Sequence, residues 1–150
     1  MDPWRRQPAD GKTEAENAAG DDRQAVILLA EDLETATLIT QDYLEARGYR
    51  VVPAQNGAQA VTLAREHHPD LILMDLHMPI MDGFEAARKI RNTADLEQTP
   101  IVALTALAMP GDRERCLAAG MNDYLSKPVE LHEIVKVIRR WLDKNGEIST

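Results

Sequence analysis

Five side chains suited to handling a charged group stand where a hydrophobic run gives out: Asp75, Glu31, Asp32, Thr105 and Lys127. Leu71-Ile72-Leu73-Met74 ends on Asp75 and then enters the turn Leu76-His77-Met78-Pro79-Ile80-Met81-Asp82-Gly83. Ala25-Val26-Ile27-Leu28-Leu29-Ala30 ends on the adjacent acids Glu31 and Asp32. Ile101-Val102-Ala103-Leu104 ends on the hydroxyl of Thr105, and Tyr124-Leu125-Ser126 leads into Lys127-Pro128. Three carboxylates brought together repel one another unless a cation neutralises them. Such a group asks for a hard divalent ion, and Mg²⁺ is typically held by a few carboxylates together with a phosphate. Lys127 could pair with a phosphoryl oxygen, and the Thr105 hydroxyl could donate to another. The set suits transient attachment of a phosphoryl group to a carboxylate, since aspartate is a known covalent nucleophile for phosphate.

The elements that must position these residues are legible in the pattern. Short apolar runs bounded by polar residues and proline suit strands covered on both faces. Ala36, Ile39, Tyr43 and Leu44 fall at i, i+3, i+7 and i+8, a helix stripe closed by Gly48. Tyr49 to Ala54 reads as a short strand, and Asn56-Gly57 as a turn. Ala60, Leu63 and Ala64 mark a second helix that Pro69 stops; Phe84, Ala87 and Ile90 mark a third. A fourth helix is expected near Asp112 to Ala119, ended by Gly120. A fifth, from Glu130 to Asp143, shows Leu131, Ile134, Val135, Ile138, Trp141 and Leu142 on one face. Strands alternating with helices through short loops predict a three-layer, doubly wound α/β domain on a five-stranded parallel sheet. Periodicity leaves the strand order open, and 2-1-3-4-5 is the common order for five such units. In that order the first and third strands are neighbours, so Glu31, Asp32 and Asp75 meet at one switch point, with Thr105 and Lys127 on the next strand tips.

At 150 residues, 44% hydrophobic and 28% charged, the chain suits one globular domain. We place it at residues 25–144, with 145–150 as a short tail. Residues 1–24 are polar without an apolar period, the composition of a disordered arm or linker. Within that arm Trp4 is either incidental or a docking anchor. Arg5-Arg6 has no apolar segment after it and so makes no twin-arginine signal. The net charge of −8 argues against direct nucleic-acid binding, which needs a basic face to neutralise phosphates. A single cysteine, Cys116, excludes an intramolecular disulfide and fits a reducing compartment. No apolar run approaches the ~18 residues of a membrane span. The expectation is a cytoplasmic protein with no membrane partner. His67, His68 and His132 have no partner at ligand spacing and belong on the surface.

Taken together, the acidic pair Glu31-Asp32, the pattern Leu73-Met74-Asp75-Leu76-His77-Met78-Pro79-Ile80-Met81-Asp82-Gly83, the strand end Leu104-Thr105-Ala106, and Tyr124-Leu125-Ser126-Lys127-Pro128 resemble the receiver domain of two-component response regulators and hybrid histidine kinases. The resemblance covers roughly Ala25 to Lys144. It implies a flavodoxin-like fold in which Asp75 accepts a phosphoryl group from a phosphohistidine of a histidine kinase or a histidine phosphotransfer protein. By the same resemblance Glu31 and Asp32 hold Mg²⁺, Glu31 largely through water, with Asp75 and the backbone carbonyl of His77 as further ligands. Lys127 contacts the phosphoryl group, Thr105 is the switch hydroxyl and Tyr124 the switch aromatic. Such a chain catalyses only its own phosphorylation and dephosphorylation, as a monomer or a weak dimer through the fourth helix, fifth strand and fifth helix. Ala103-Leu104-Thr105-Ala106-Leu107-Ala108-Met109 and Ala119-Gly120-Met121-Asn122-Asp123-Tyr124 are closer to hybrid-kinase receivers than to those of transcription factors. Few residues follow Asp143, so output is expected through the same helix 4, strand 5 and helix 5 surface and not through a DNA-binding domain.

Two departures bear on the site. Glu31 stands where Asp is also common, which changes reach and not charge. His77 stands where many relatives carry Asn or another polar residue, so its side chain, with Leu107, is free to alter the lifetime of the phosphoryl group. Two other readings are weaker. An aspartate-nucleophile phosphatase wants a second acid two residues after its nucleophile, where this chain has His77. A receiver-like interaction module that is never phosphorylated would be expected to lack the acceptor, the lysine or the acidic pair, and all are present.

Overall fold

The structure, a computed structural model, describes residues 24–106 and 110–148. The expectations for Trp4, Leu107 and the arm before Gln24 fall outside those residues. Strand and helix alternate as β1 (Val26–Ala30), α1 (Glu34–Glu45), β2 (Arg50–Ala54), α2 (Gly57–His67), β3 (Leu71–Asp75), α3 (Gly83–Arg91), β4 (Ile101–Thr105), α4 (Asp112–Ala118), β5 (Asp123–Ser126) and α5 (Leu131–Ile148). The strands form one parallel sheet in the order β2-β1-β3-β4-β5, the order expected as the common one for five such units.

Successive strand residues point to opposite faces, so each strand divides its side chains between two cores. Leu28, Ala30, Ile72, Met74 and Ala103 pack under α2, α3 and α4 with Val61, Phe84 and Ile90. Ile27, Leu29, Leu71, Leu73 and Val102 pack under α1 and α5 with Leu44, Ile134, Val137 and Ile138. This is why β1, β3 and β4 read as continuous apolar runs and not as alternating ones. Proline in β2 is tolerated because that strand lies at the edge of the sheet, with Pro53 exposed.

Three details differ from the sequence expectations. Leu44 is the sole buried residue of α1, and Ile39, expected on its inner stripe, is 54% exposed. At about 100° per residue Ile39 lies roughly 140° around the helix from Leu44. The half-buried Thr37 and Thr40 sit on the Leu44 side instead, so polar residues occupy a stripe that an apolar count overlooks. Asn56 is not simply a turn residue; it caps α2, its side-chain oxygen accepting the Gln59 N–H at 2.8 Å. The last helix continues past Lys144, the expected domain end, to Ile148.

Candidate functional site

The site lies at the carboxyl ends of the strands, where the order reverses between β1 and β3. Ala30 pairs with Met74, and Asp75 pairs with Leu104. Glu31 leaves β1 beside the tip of β3, where its Oε2 accepts the Leu33 N–H at 3.1 Å. The Asp75 carboxylate is buried and fixed at both oxygens: Oδ1 accepts the His77 N–H at 3.0 Å, and Oδ2 accepts from Lys127 Nζ at 2.9 Å. Lys127 Nζ also reaches Glu31 Oε1 at 3.4 Å. Its backbone N–H donates to the Thr105 carbonyl at 2.7 Å, so the extension of β5 along β4 aims this ammonium.

Glu31, Asp32 and Asp75 each offer a carboxylate oxygen within 4.8 Å of the others. Glu31 and Asp75 are buried and Asp32 is exposed. Burial raises the Glu31 carboxyl above its ordinary value and the Asp75 charge raises it further; the Leu33 N–H and Lys127 oppose that rise without cancelling it. For Lys127 burial acts downward, and the hydrogen bond and charge of Asp75, with those of Glu31, outweigh it and leave the ammonium raised. One ammonium facing three acids leaves negative charge over, and a donor set made wholly of oxygen fits Mg²⁺. His77 is exposed, with its backbone N–H already given to Asp75.

Thr105 is 1% exposed, and its Oγ1 has no hydrogen-bond partner among the described residues. A buried hydroxyl left unpaired costs about 1–3 kcal/mol, so Thr105 brings an unmet donor to the tip of β4. Tyr124 lies in the next strand, opposite Ala103, half-buried against the core beneath α2 to α4. All the residues expected at the site therefore gather along the tips of β1, β3, β4 and β5, with Tyr124 set back from the tips.

Some residues that build the site gave only partial signals. Gly83 was legible as a turn residue, but its close approach was not. A Cβ there would stand 2.5 Å from the Asp75 carbonyl oxygen, so glycine alone lets α3 start against the end of β3. Asp82 caps that helix, Oδ1 accepting the Glu85 N–H at 2.9 Å. Ile80 gave no signal. It has φ +71°, and Met81 N–H donates to the Pro79 carbonyl at 2.7 Å across it, a three-residue turn. A β-branched side chain is strained in that region, and Ile80 is 83% exposed beside the site. The turn is held from outside by the Gly57 N–H, which donates to the Met81 carbonyl at 3.0 Å.

Comparison with known proteins agrees with this geometry. The response regulator receiver domain model matches residues 27–139. The polar-differentiation response regulator DivK of Brucella ovis is 38% identical over 116 residues, which cover 77% of this chain and 94% of that protein. The receiver domain of the sensor histidine kinase PA1611 from Pseudomonas aeruginosa, solved with a magnesium ion coordinated in its active-site cleft, is 43% identical. It superposes with a TM-score of 0.75, covering 81% of this chain and 99% of that one. The receiver domain of Saccharomyces cerevisiae Ssk1, solved with the histidine phosphotransfer protein Ypd1, is 34% identical with a TM-score of 0.73, covering 79% and 88%. No described helix is long and apolar enough to cross a membrane. An acidic pocket at the β1/β3 switch point, a lysine reaching into it and a family match over most of the sequence have one meaning: this chain belongs to the response regulator receiver domain family.

Proposed function

We propose that Asp75 is the phosphoacceptor of this receiver and that it takes its phosphoryl group from a phosphohistidine on a histidine kinase or phosphotransfer protein. The observation that carries this is the Asp75 carboxylate itself, buried, oriented at both oxygens and facing the ammonium of Lys127 at 2.9 Å. An oxygen of Asp75 attacks phosphorus as the P–N bond to the donor imidazole breaks; the imidazole leaves with the electron pair and takes up a proton. The product is an acyl phosphate on Asp75, and water later returns it to carboxylate and phosphate. The chain catalyses these two reactions on itself.

Glu31, Asp32 and Asp75, with the His77 carbonyl, would hold Mg²⁺. The bound ion would supply positive charge to the transferring oxygens. Lys127 leaves its pairing with the carboxylate for the new phosphoryl oxygens, a charge-assisted contact. Thr105 then finds the partner its buried hydroxyl lacks. Its movement makes room for Tyr124 to turn, which couples the site to the face formed by α4, β5 and α5. Shifting such a two-state equilibrium from 1:99 to 99:1 takes about 5.5 kcal/mol, within reach of a few charged contacts.

Labelling with radioactive acetyl phosphate or a phosphohistidine donor tests the assignment. Wild type should be labelled, Asp75→Asn should accept nothing, and excess EDTA should abolish labelling. Equal labelling of the variant, or full labelling in EDTA, overturns it.

A further inference from the structure

We propose that Gly57 is a positioning residue for the Mg²⁺ and phosphoryl site, acting through its N–H on the Met81 carbonyl; the inference rests on the reading of Asp75 as the phosphoacceptor and of the His77 carbonyl as a metal ligand. Leu76 to Gly83 forms a closed loop. The Gly83 N–H donates to the Leu76 carbonyl at 3.0 Å across its base, and Leu76 and Met78 are buried in the core. His77 stands near that base, with its N–H on Asp75 Oδ1. At the far end Pro79 and Ile80 are both exposed, and Ile80 is held at φ +71°. A strained residue persists only where its surroundings over-determine it. Packing on the Ile80 side chain supplies none of that constraint. Met81 supplies part of it through a partly buried side chain, and the Gly57 N–H fixes the Met81 carbonyl at 3.0 Å.

The approach of the two backbones requires a residue without a side chain. A Cβ on Gly57 would collide with the Met81 carbonyl oxygen and stand 2.8 Å from its carbon and 3.0 Å from the Asp82 carbonyl oxygen. All three are backbone atoms, so no rotamer change makes room, and any other residue displaces either the loop or the start of α2. The turn that presents Gly57 is itself fixed. Asn56 is buried and its Oδ1 accepts the Gln59 N–H at 2.8 Å, while Gln59 Oε1 accepts the Gln55 N–H at 2.9 Å. At the other end of the same turn the Ala54 carbonyl accepts the Glu31 N–H at 3.0 Å. One short connection between β2 and α2 therefore holds both walls of the pocket, the Glu31 side through Ala54 and the loop after Asp75 through Gly57. It brings no charge of its own and acts by orienting residues that do, as the outer contacts of a metal site orient its ligands.

In the full chain, Gly57→Ala should bind Mg²⁺ about tenfold more weakly than wild type, read from the amide NMR shifts of the site across a Mg²⁺ titration. Arg91→Ala, which lowers stability at the opposite end of the sheet, should bind Mg²⁺ as wild type does. Linkage adds a measurement that needs no variant, because a contact that favours Mg²⁺ binding must itself be favoured by Mg²⁺ to the same degree. Hydrogen exchange of the wild-type Gly57 N–H should therefore slow about tenfold when Mg²⁺ is added. The Thr93 N–H, bonded to the Ile90 carbonyl at 3.0 Å beyond the far end of α3, should keep its rate. Unchanged Mg²⁺ affinity in Gly57→Ala, equal weakening in Arg91→Ala, or Gly57 exchange indifferent to Mg²⁺ overturns the positioning role. If Gly57→Ala does not fold, the exchange measurement decides alone. None of these readings needs a phosphoryl group, so failure of Asp75 labelling sinks the phosphoacceptor assignment and leaves them standing, while a wild type that binds no Mg²⁺ sinks the positioning role with the metal site.

Discussion

The two ends of the sheet are built on opposite terms. At the carboxyl end, three acids face one ammonium, the Thr105 hydroxyl is buried without a partner, and Ile80 is held at φ +71°. At the amino end the polar groups complete one another. Arg91 donates from Nε to the Gly120 carbonyl at 2.8 Å, from Nη1 to the Leu96 carbonyl at 3.1 Å, and from Nη2 to Asn122 Oδ1. That oxygen also accepts the Ile101 N–H at 2.8 Å, while Asn122 N–H donates to the Ile101 carbonyl at 2.8 Å. A Cβ on Gly120, which has φ +96°, would stand 2.6 Å from Arg91 Cγ, so the loop after α4 closes on the guanidinium stem. The lesson is a division of labour. Local consistency at one end supplies stability, and the other end carries excess charge, an unmet hydrogen bond and backbone strain, the features expected where a protein acts on a ligand.

If that division holds, substitutions at the two ends should fail in different assays. Lys127→Met should lower the rate of phosphoryl transfer most, by about 10²–10³-fold, the usual loss when one charge-stabilising donor goes. Its melting temperature measured without Mg²⁺ should fall as well, because Asp75 and Glu31 lose the charge whose attraction outweighs the burial of Lys127; transfer retained in the folded variant would erase the contrast. Arg91→Ala should spare the transfer. It strips three hydrogen bonds from a half-buried network and should cost about 2–4 kcal/mol in urea unfolding while acetyl phosphate labelling of the folded fraction is retained.

Thr105→Val sharpens the comparison further. Deleting an unpaired buried hydroxyl at nearly constant volume should stabilise the unphosphorylated protein by about 1–2 kcal/mol, while the response of the α4, β5 and α5 face to beryllofluoride is lost. Ile80→Asn, placing a residue that tolerates left-handed backbone in an exposed turn, should add about 0.5–1 kcal/mol measured by thermal unfolding. The smallest effect is a slope. Folding raises the Glu31 carboxyl above its ordinary 4.5, through burial first and Asp75 second. Its favourable contribution is therefore present below about pH 4.5 and is lost as pH rises through the higher folded value. Glu31→Gln should remove that fall from a plot of stability against pH measured without Mg²⁺.

Much of this was decided by local sequence. Continuous apolar runs can be satisfied only by strands buried on both faces, so β1, β3 and β4 and the chemistry of their last residues were legible at once. Alternation with helices fixed the class of fold, and Asp75, Glu31, Asp32, Thr105 and Lys127 were legible as a set because each ends or follows a run. Contact across the sheet was not legible, because periodicity carries no information on which strand lies beside which. The pairing of β1 with β3 turned three dispersed acids into one pocket, and the extension of β5 along β4 set Lys127 at 2.9 Å from Asp75. The face of α1 was misjudged at Ile39 because threonines pack inward there, and inward direction is a property of the helix's position on the sheet, not of its hydropathy. The missing partner of Thr105, the strain at Ile80 and the Arg91 network all depend on what neighbouring elements offer or withhold. Those are facts of three-dimensional packing, and only the tertiary structure decides them.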